Sequence, residues 1–182
     1  MSPRPPSTSV CEMTELVLPN DTNTLGNLMG GRLLHLMDVC AAIAAQRHSN
    51  RTVVTASVDS VDFRSAIRLG EVVVMRATVN RAFRTSMEVG IDVWAEDNTA
   101  GTRRHCNHAY YTFVAVDDDA APVAVRPLHP ETEAEQERFE AAARRREVRL
   151  VLAGRMAPGD STHLREMLGA VALEPPAREP EG

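Results

Sequence analysis

One acid stands among the apolar residues of a long helical stretch. From Leu28 to His48 the chain holds no proline, is rich in alanine and repeats apolar residues at helical spacing. On that helix Leu34, Asp38, Ala41 and Ala45 fall on one stripe beside Leu33, Met37 and Ala44. An ionised carboxylate near a packing face costs several kcal/mol unless it is hydrogen-bonded or paired. Asp38 therefore either lines a cleft, where it can move a proton or attack a substrate, or is an edge acid, solvated or salt-bridged to Arg32 or Arg64. Just upstream, the polar segment Asn20 to Gly31 delivers the chain to the start of the same helix. Unpaired amides at a helix start are ready donors, Gly30 and Gly31 allow a carbonyl oxygen close approach, and Asn23 adds a side-chain N–H, which together make an oxyanion-type site. The plainer alternative is a turn with a helix cap made by Asn and Thr.

Other chemistries are weaker or excluded. All 20 basic residues are arginine, so Schiff-base enzymes, Walker A nucleotide binding and a kinase's strand lysine lack their amine. His105-Cys106-Asn107-His108 contains three metal-ligand types, but in a regular strand His105 and His108 point to opposite faces, and no second ligand pair stands at a zinc spacing; no metal is expected. No Gly-x-Ser-x-Gly elbow is present, Cys40 reads as a small buried hydrophobe, and Arg144 to Arg146 read as a solvated helix end.

The elements that must position these residues follow from length and pattern. At 182 residues, 43% apolar and 25% charged, the chain is sized for one globular domain with extensions. Its formal charge of −5 speaks against a nucleic-acid partner, and its apolar runs fall short of a membrane span. Three widely spaced cysteines read as free thiols in a reducing, cytoplasmic setting. Residues 1–10 are expected to be a disordered leader and 154–182 a flexible tail around a domain over 11–153.

Glu12 to Leu18 suggests a short strand before the helix. After it the period changes from helical to alternating: Val53 to Phe63, Glu71 to Val79, Thr85 to Glu96 and Cys106 to Val116 read as four successive strands. A second helix begins at Pro130 and Glu131, with acids first and arginines last, as the helix dipole favours. Strands in succession imply an antiparallel sheet, an α+β architecture with the long helix laid across one face and an exposed edge suited to a second subunit.

Five ordered motifs then add up to a resemblance: Asn23-Thr24-Leu25-Gly26-Asn27-Leu28-Met29-Gly30-Gly31, Leu36-Met37-Asp38, Arg47-His48, Val54-Thr55-Ala56-Ser57-Val58-Asp59 and Arg84-Thr85-Ser86-Met87-Glu88-Val89. Over roughly 12–149 the chain resembles the acyl-CoA thioesterases (acyl-CoA hydrolases) of the hotdog fold. The resemblance implies an antiparallel sheet wrapped around one central helix plus a C-terminal helix. It also implies a homodimer gathered into a hexamer and a site in which Asn23 of one subunit meets Asp38 of its partner. Asp38 then serves as general base or nucleophile, while Asn23 and the Gly30 and Gly31 amides polarise the thioester carbonyl. Arg84, Thr85, Ser86 and Arg47 are implied for the CoA phosphates, and no cofactor is implied beyond the CoA of the substrate. Met29 departs from the aromatic residue common at its position, which bears on the acyl pocket. Two other readings use the same residues: a hydratase or dehydratase of enoyl-CoA, which calls for a histidine partnering the acid, with His35 nearby in sequence, and a non-catalytic acyl-CoA-binding module.

Overall fold

A computed structural model describes residues 1–59, 61, 63 and 65–166. Its elements run β1 (Cys11–Leu16), α1 (Gly30–Ser49), β2 (Thr52–Val58), β3 (Val72–Ala82), β4 (Ser86–Asp97), β5 (Thr102–Val116) and α2 (Glu133–Leu152). The order matches the expected one, with β2 ending sooner and β3 and β5 running longer. All five strands join one antiparallel sheet in the order β1-β3-β4-β5-β2, so β1 and β2 are its edges. The chain divides into two compact units, the boundary falling between Gln136 and Glu137.

The core of the first unit lies between one sheet face and α1. Alternation along the strands sends Val73, Met75, Ala77 and Val79 of β3, Met87, Val89, Ile91, Val93 and Ala95 of β4, and Ala109, Tyr111, Phe113 and Ala115 of β5 inward, and all are buried. From α1 come Leu33, Leu36, Met37, Cys40, Ala41, Ala44 and Ala45. Small side chains dominate that stripe and allow the helix to approach a curled sheet closely. The helix ends at Asn50, whose left-handed conformation (φ 52°) closes it with a hydrogen bond to the Gln46 carbonyl.

Residues 1–10, expected to be a disordered leader, carry defined contacts. The Arg4 amide donates to the Pro127 carbonyl (3.1 Å), Pro6–Ser9 form a 3₁₀ turn, and the buried Ser9 hydroxyl accepts the Val79 amide (3.0 Å). The reason is local: Ser9 supplies an acceptor to a strand amide that would otherwise be buried unpaired. In the C-terminal stretch, Pro158–Asp160 form a 3₁₀ turn and 162–166 are helical. The rest of the expected tail, 167–182, lies outside the described residues. At the start of α2, Thr132 Oγ1 accepts the Glu135 amide (3.2 Å) while Glu135 Oε2 accepts the Thr132 amide (3.1 Å), a reciprocal capping box.

One ion pair holds the segment between β2 and β3 to β5. Arg104 donates to both Glu71 carboxylate oxygens (2.7 Å each) and to the Ala66 carbonyl (2.6 Å), and Glu71 also accepts the Arg68 amide (2.7 Å). The Arg104 hydrogen bonds hold the Glu71 carboxyl below its ordinary range, outweighing the opposite pull of burial. A carboxyl lowered in the folded state stabilises the protein above its unfolded value, and that contribution is lost as pH falls through the folded one. Glu71→Gln is therefore expected to melt a few degrees below wild type at neutral pH, with the gap closing as melting is followed from about pH 5 to about pH 3. A gap that stays constant would assign the pair no electrostatic role.

Candidate active site

Asp38 projects from α1 at the flank of its buried stripe rather than at its centre, and is half-buried. Of the two arginines offered as ion-pair partners, Arg32 does not meet it. Arg32 instead pairs with Asp21 (2.9 Å) and Glu15 (3.5 Å), and Arg64 lies outside the described residues. The group that meets the carboxylate is Thr55 on β2, whose hydroxyl donates to Asp38 Oδ1 at 2.8 Å. Among the described residues Oδ2 has no partner. Thr55 was missed as a functional residue by sequence reasoning, although it stands in one of the five motifs; its spacing from Asp38 has meaning only once β2 folds back along α1. His35, the histidine a hydratase calls for, is exposed on α1 and makes no hydrogen bond to Asp38.

The second half of the site is the loop before α1. Asn23 folds its loop around itself: its Oδ1 accepts the amides of Leu25 (2.9 Å) and Asn27 (3.2 Å), and its own amide donates to the Asn27 carbonyl (2.8 Å). Gly26 sits in the turn with φ 72°, a conformation that favours glycine. Held this way, the exposed Asn23 side chain keeps its Nδ2 donor unpaired among the described residues. No side chain caps α1, and the amides of Gly30, Gly31 and Arg32 are likewise unpaired among them, leaving donors at the positive end of the helix dipole. The two glycines differ. A Cβ on Gly30 would lie 3.2 Å from the Phe63 ring, so its open side is already occupied, whereas nothing lies within 4 Å of that position on Gly31.

Within one chain these halves are apart. Gly30 and Asp38 are separated by about 12 Å of helix rise, too far for one reacting carbon to stand near both. Asp38 and Thr55 face the free edge of the sheet, where β2 leaves Val54 and Val58 47% and 44% exposed. A lone chain thus presents an acid at an uncovered edge and a donor-rich loop elsewhere.

The arginines lie further off. Arg84 and Thr85 occupy the β3–β4 hairpin, where their carbonyls accept the amides of Val125 and Ala115 (3.0 Å each). The exposed Arg84 guanidinium is unpaired among the described residues. Ser86 opens β4, one position before Met87, which is in register with Phe113 and through it with Thr55. That row spans two strand spacings, about 10 Å. Arg47, exposed near the end of α1, donates to the Val10 carbonyl. No hydrogen bond joins any of the four to Asp38.

The expectation that His105 and His108 face opposite ways is overturned. The β4–β5 register shifts between Val93 and Trp94, making Cys106 an extra residue, and both imidazoles reach the same Asp92 oxygen, from His105 Nε2 at 2.9 Å and His108 Nδ1 at 2.7 Å. Burial lifts the Asp92 carboxyl, but these hydrogen bonds prevail and hold it below its ordinary range. No group of three or more His, Cys, Asp or Glu among the described residues is arranged to hold a metal ion. Cys40 is fully buried and its thiol is pushed up to about 12, chiefly by that burial and then by neighbouring Cys11.

The chain is similar to known proteins in sequence and in fold. Residues 25–102 match the thioesterase superfamily. The chain is 42% identical over 142 residues to acyl-coenzyme A thioesterase 11 of Mus musculus, an alignment covering 78% of this chain and 24% of that protein. It thus spans about a quarter of the length of the mammalian relatives it matches first. Among solved structures, an apo-hexameric acyl-CoA thioesterase superposes with TM-score 0.81 at 39% identity, covering 84% of this chain and 98% of that one. An acyl-CoA hydrolase from Staphylococcus aureus, in complex with butyryl coenzyme A, coenzyme A and coenzyme A disulfide, superposes with TM-score 0.77 at 32% identity, covering 93% and 98%. The Staphylococcus enzyme is also known as single alanine variants of an aspartate, an asparagine and a threonine. With this identity extending over nearly the whole of a single-domain relative, and with the same sheet and central helix, the chain belongs to the acyl-CoA thioesterase family of the hotdog fold.

Proposed function

We propose that the protein hydrolyses acyl-CoA thioesters to a free carboxylic acid and CoA, at a site that two copies of the chain complete. The observation that carries this reading is the half-buried Asp38 carboxylate, held by Thr55 on one oxygen and, among the described residues, without a partner on the other. Spacing supports it. The aspartate, asparagine and threonine replaced in the Staphylococcus enzyme are separated by fifteen and seventeen positions, as Asn23, Asp38 and Thr55 are here.

In this mechanism Thr55 fixes Asp38 Oδ1 and the free Oδ2 takes a proton from water as general base. The water adds to the thioester carbonyl, and the developing oxyanion is met by the Gly31 and Gly30 amides with Asn23 Nδ2 of the second copy. Collapse expels the CoA thiolate, which takes up a proton. Separation of the two halves within one chain, together with the uncovered β2 edge, is the reason for a homodimer. The hexameric thioesterase among the structural neighbours supports dimers gathered further into a hexamer. Arg84, Thr85, Ser86 and Arg47 hold the CoA phosphates. Arg47 lies nine residues beyond Asp38, about 13–14 Å of helix. A pantetheine arm, comparable to four extended residues, spans roughly the same length. No cofactor is called for, and three buried free cysteines suit a cytoplasmic setting.

Purified protein incubated with acyl-CoAs of several chain lengths and a thiol reagent should release free CoA. Asp38→Asn should lower kcat by roughly 10²–10⁴. Absence of thiol release by wild type, or undiminished release by the variant, would refute the assignment. Single turnover in ¹⁸O-water reads the route: label confined to the product acid supports the general base, and label in the Asp38 side chain would replace it with direct attack. Removing only the hydroxyl with Thr55→Val should cost roughly tenfold or more in kcat. Val54→Asp, which places a charge on the exposed edge strand, should yield a monomer in sedimentation and little turnover; a fully active monomer would contradict the shared site.

A further inference from the structure

We infer that Tyr111, a buried tyrosine on β5, is a positioning residue for Asp38, its hydroxyl gripping the turn of α1 that carries the carboxylate. The inference rests on the thioesterase reading above. Tyr111 is 1% exposed, and its ring stacks on Phe113 with centroids 6.2 Å apart and planes 13° from parallel. Its hydroxyl donates to the Leu34 carbonyl at 3.4 Å. In an α-helix that carbonyl also receives the amide four residues on, which is that of Asp38. Phe113 is in register with Thr55, so neighbouring inward-facing rows of the sheet reach the same turn: Thr55 takes the carboxylate and Tyr111 takes the backbone beneath it.

Packing alone does not call for the hydroxyl. The ring would fill the same space as phenylalanine, whereas a buried hydroxyl is unfavourable unless well bonded, and a 3.4 Å hydrogen bond is a long one. The charge of Asp38 also reaches it. Burial first, and then that negative charge, push the phenol up to about 12. Tyr111 therefore stays neutral wherever the reaction runs and takes no proton from water. Its part is to hold the turn so that Asp38 Oδ2 stays aimed at the reacting water.

Tyr111→Phe is expected to lower kcat about tenfold with KM within about twofold. In the Asp38→Asn background the same change should have no further effect on residual turnover. Equal losses in both backgrounds, or an unchanged kcat in the first, would overturn the positioning role. A measurement on the otherwise unaltered chain covers a failure of the variant to fold. The protein has two tyrosines, so 3-fluorotyrosine labelling gives two ¹⁹F resonances, identified by Tyr110→Phe. The titration of the Tyr111 phenol should move to lower pH in Asp38→Asn, because the negative charge that raises it is gone; insensitivity to Asp38→Asn would refute the coupling. Wild type that releases thiol while these tests fail would sink this inference alone, whereas wild type that releases none would sink the thioesterase reading itself.

Discussion

A carboxylate at the flank of a packed helix is best accommodated where a donor meets it, and here that donor is the Thr55 hydroxyl, 2.8 Å from Asp38. Much of the first unit can be understood as a means of bringing these two residues together. The alanines and Cys40 of α1 thin the buried stripe, which lets the sheet curl closely along the helix. β2 runs back beside α1 from the left-handed Asn50, and pairing with β5 sets Thr55 opposite Phe113. Because β2 is an edge strand, the acid stays within reach of a substrate instead of being sealed in the core.

A second constraint is length. Eight residues of helix separate the donor-rich start of α1 from Asp38, and an α-helix cannot shorten that distance. The Asn23 loop is closed by Asx bonds and by the bridge of Asn27 to Arg68. Segment 65–71, which meets the loop, is fastened in turn by Glu71 and Arg104. The start of α1 and Asp38 therefore cannot meet one reacting carbon within one chain, which is why the proposed reaction calls on a second copy.

Some of this was legible in single residues and some was not. Asp38 stood out because an acid among Leu34, Ala41 and Ala45 breaks a helical apolar pattern, and Asn23 because it precedes a glycine-rich helix start. Alternation in β4 was plain because the odd positions carry the apolar core, while of the even ones only Glu88 is buried. His105 and His108 misled, since a strand's two-residue period fails where Cys106 is inserted. The leader misled as well: Pro and Ser are poor core formers, yet Ser9 is useful for its oxygen rather than for apolar area.

Local spacing and the hydrophobic period, which depend only on neighbours along the chain, determined the element order, the α+β class and the acid with its donor loop. Which side chain meets that acid and which edge stays open depend on register between segments far apart in sequence. Thr55 and Tyr111 acquire their places beside α1 only through strand pairing and close packing, so tertiary structure alone decided them.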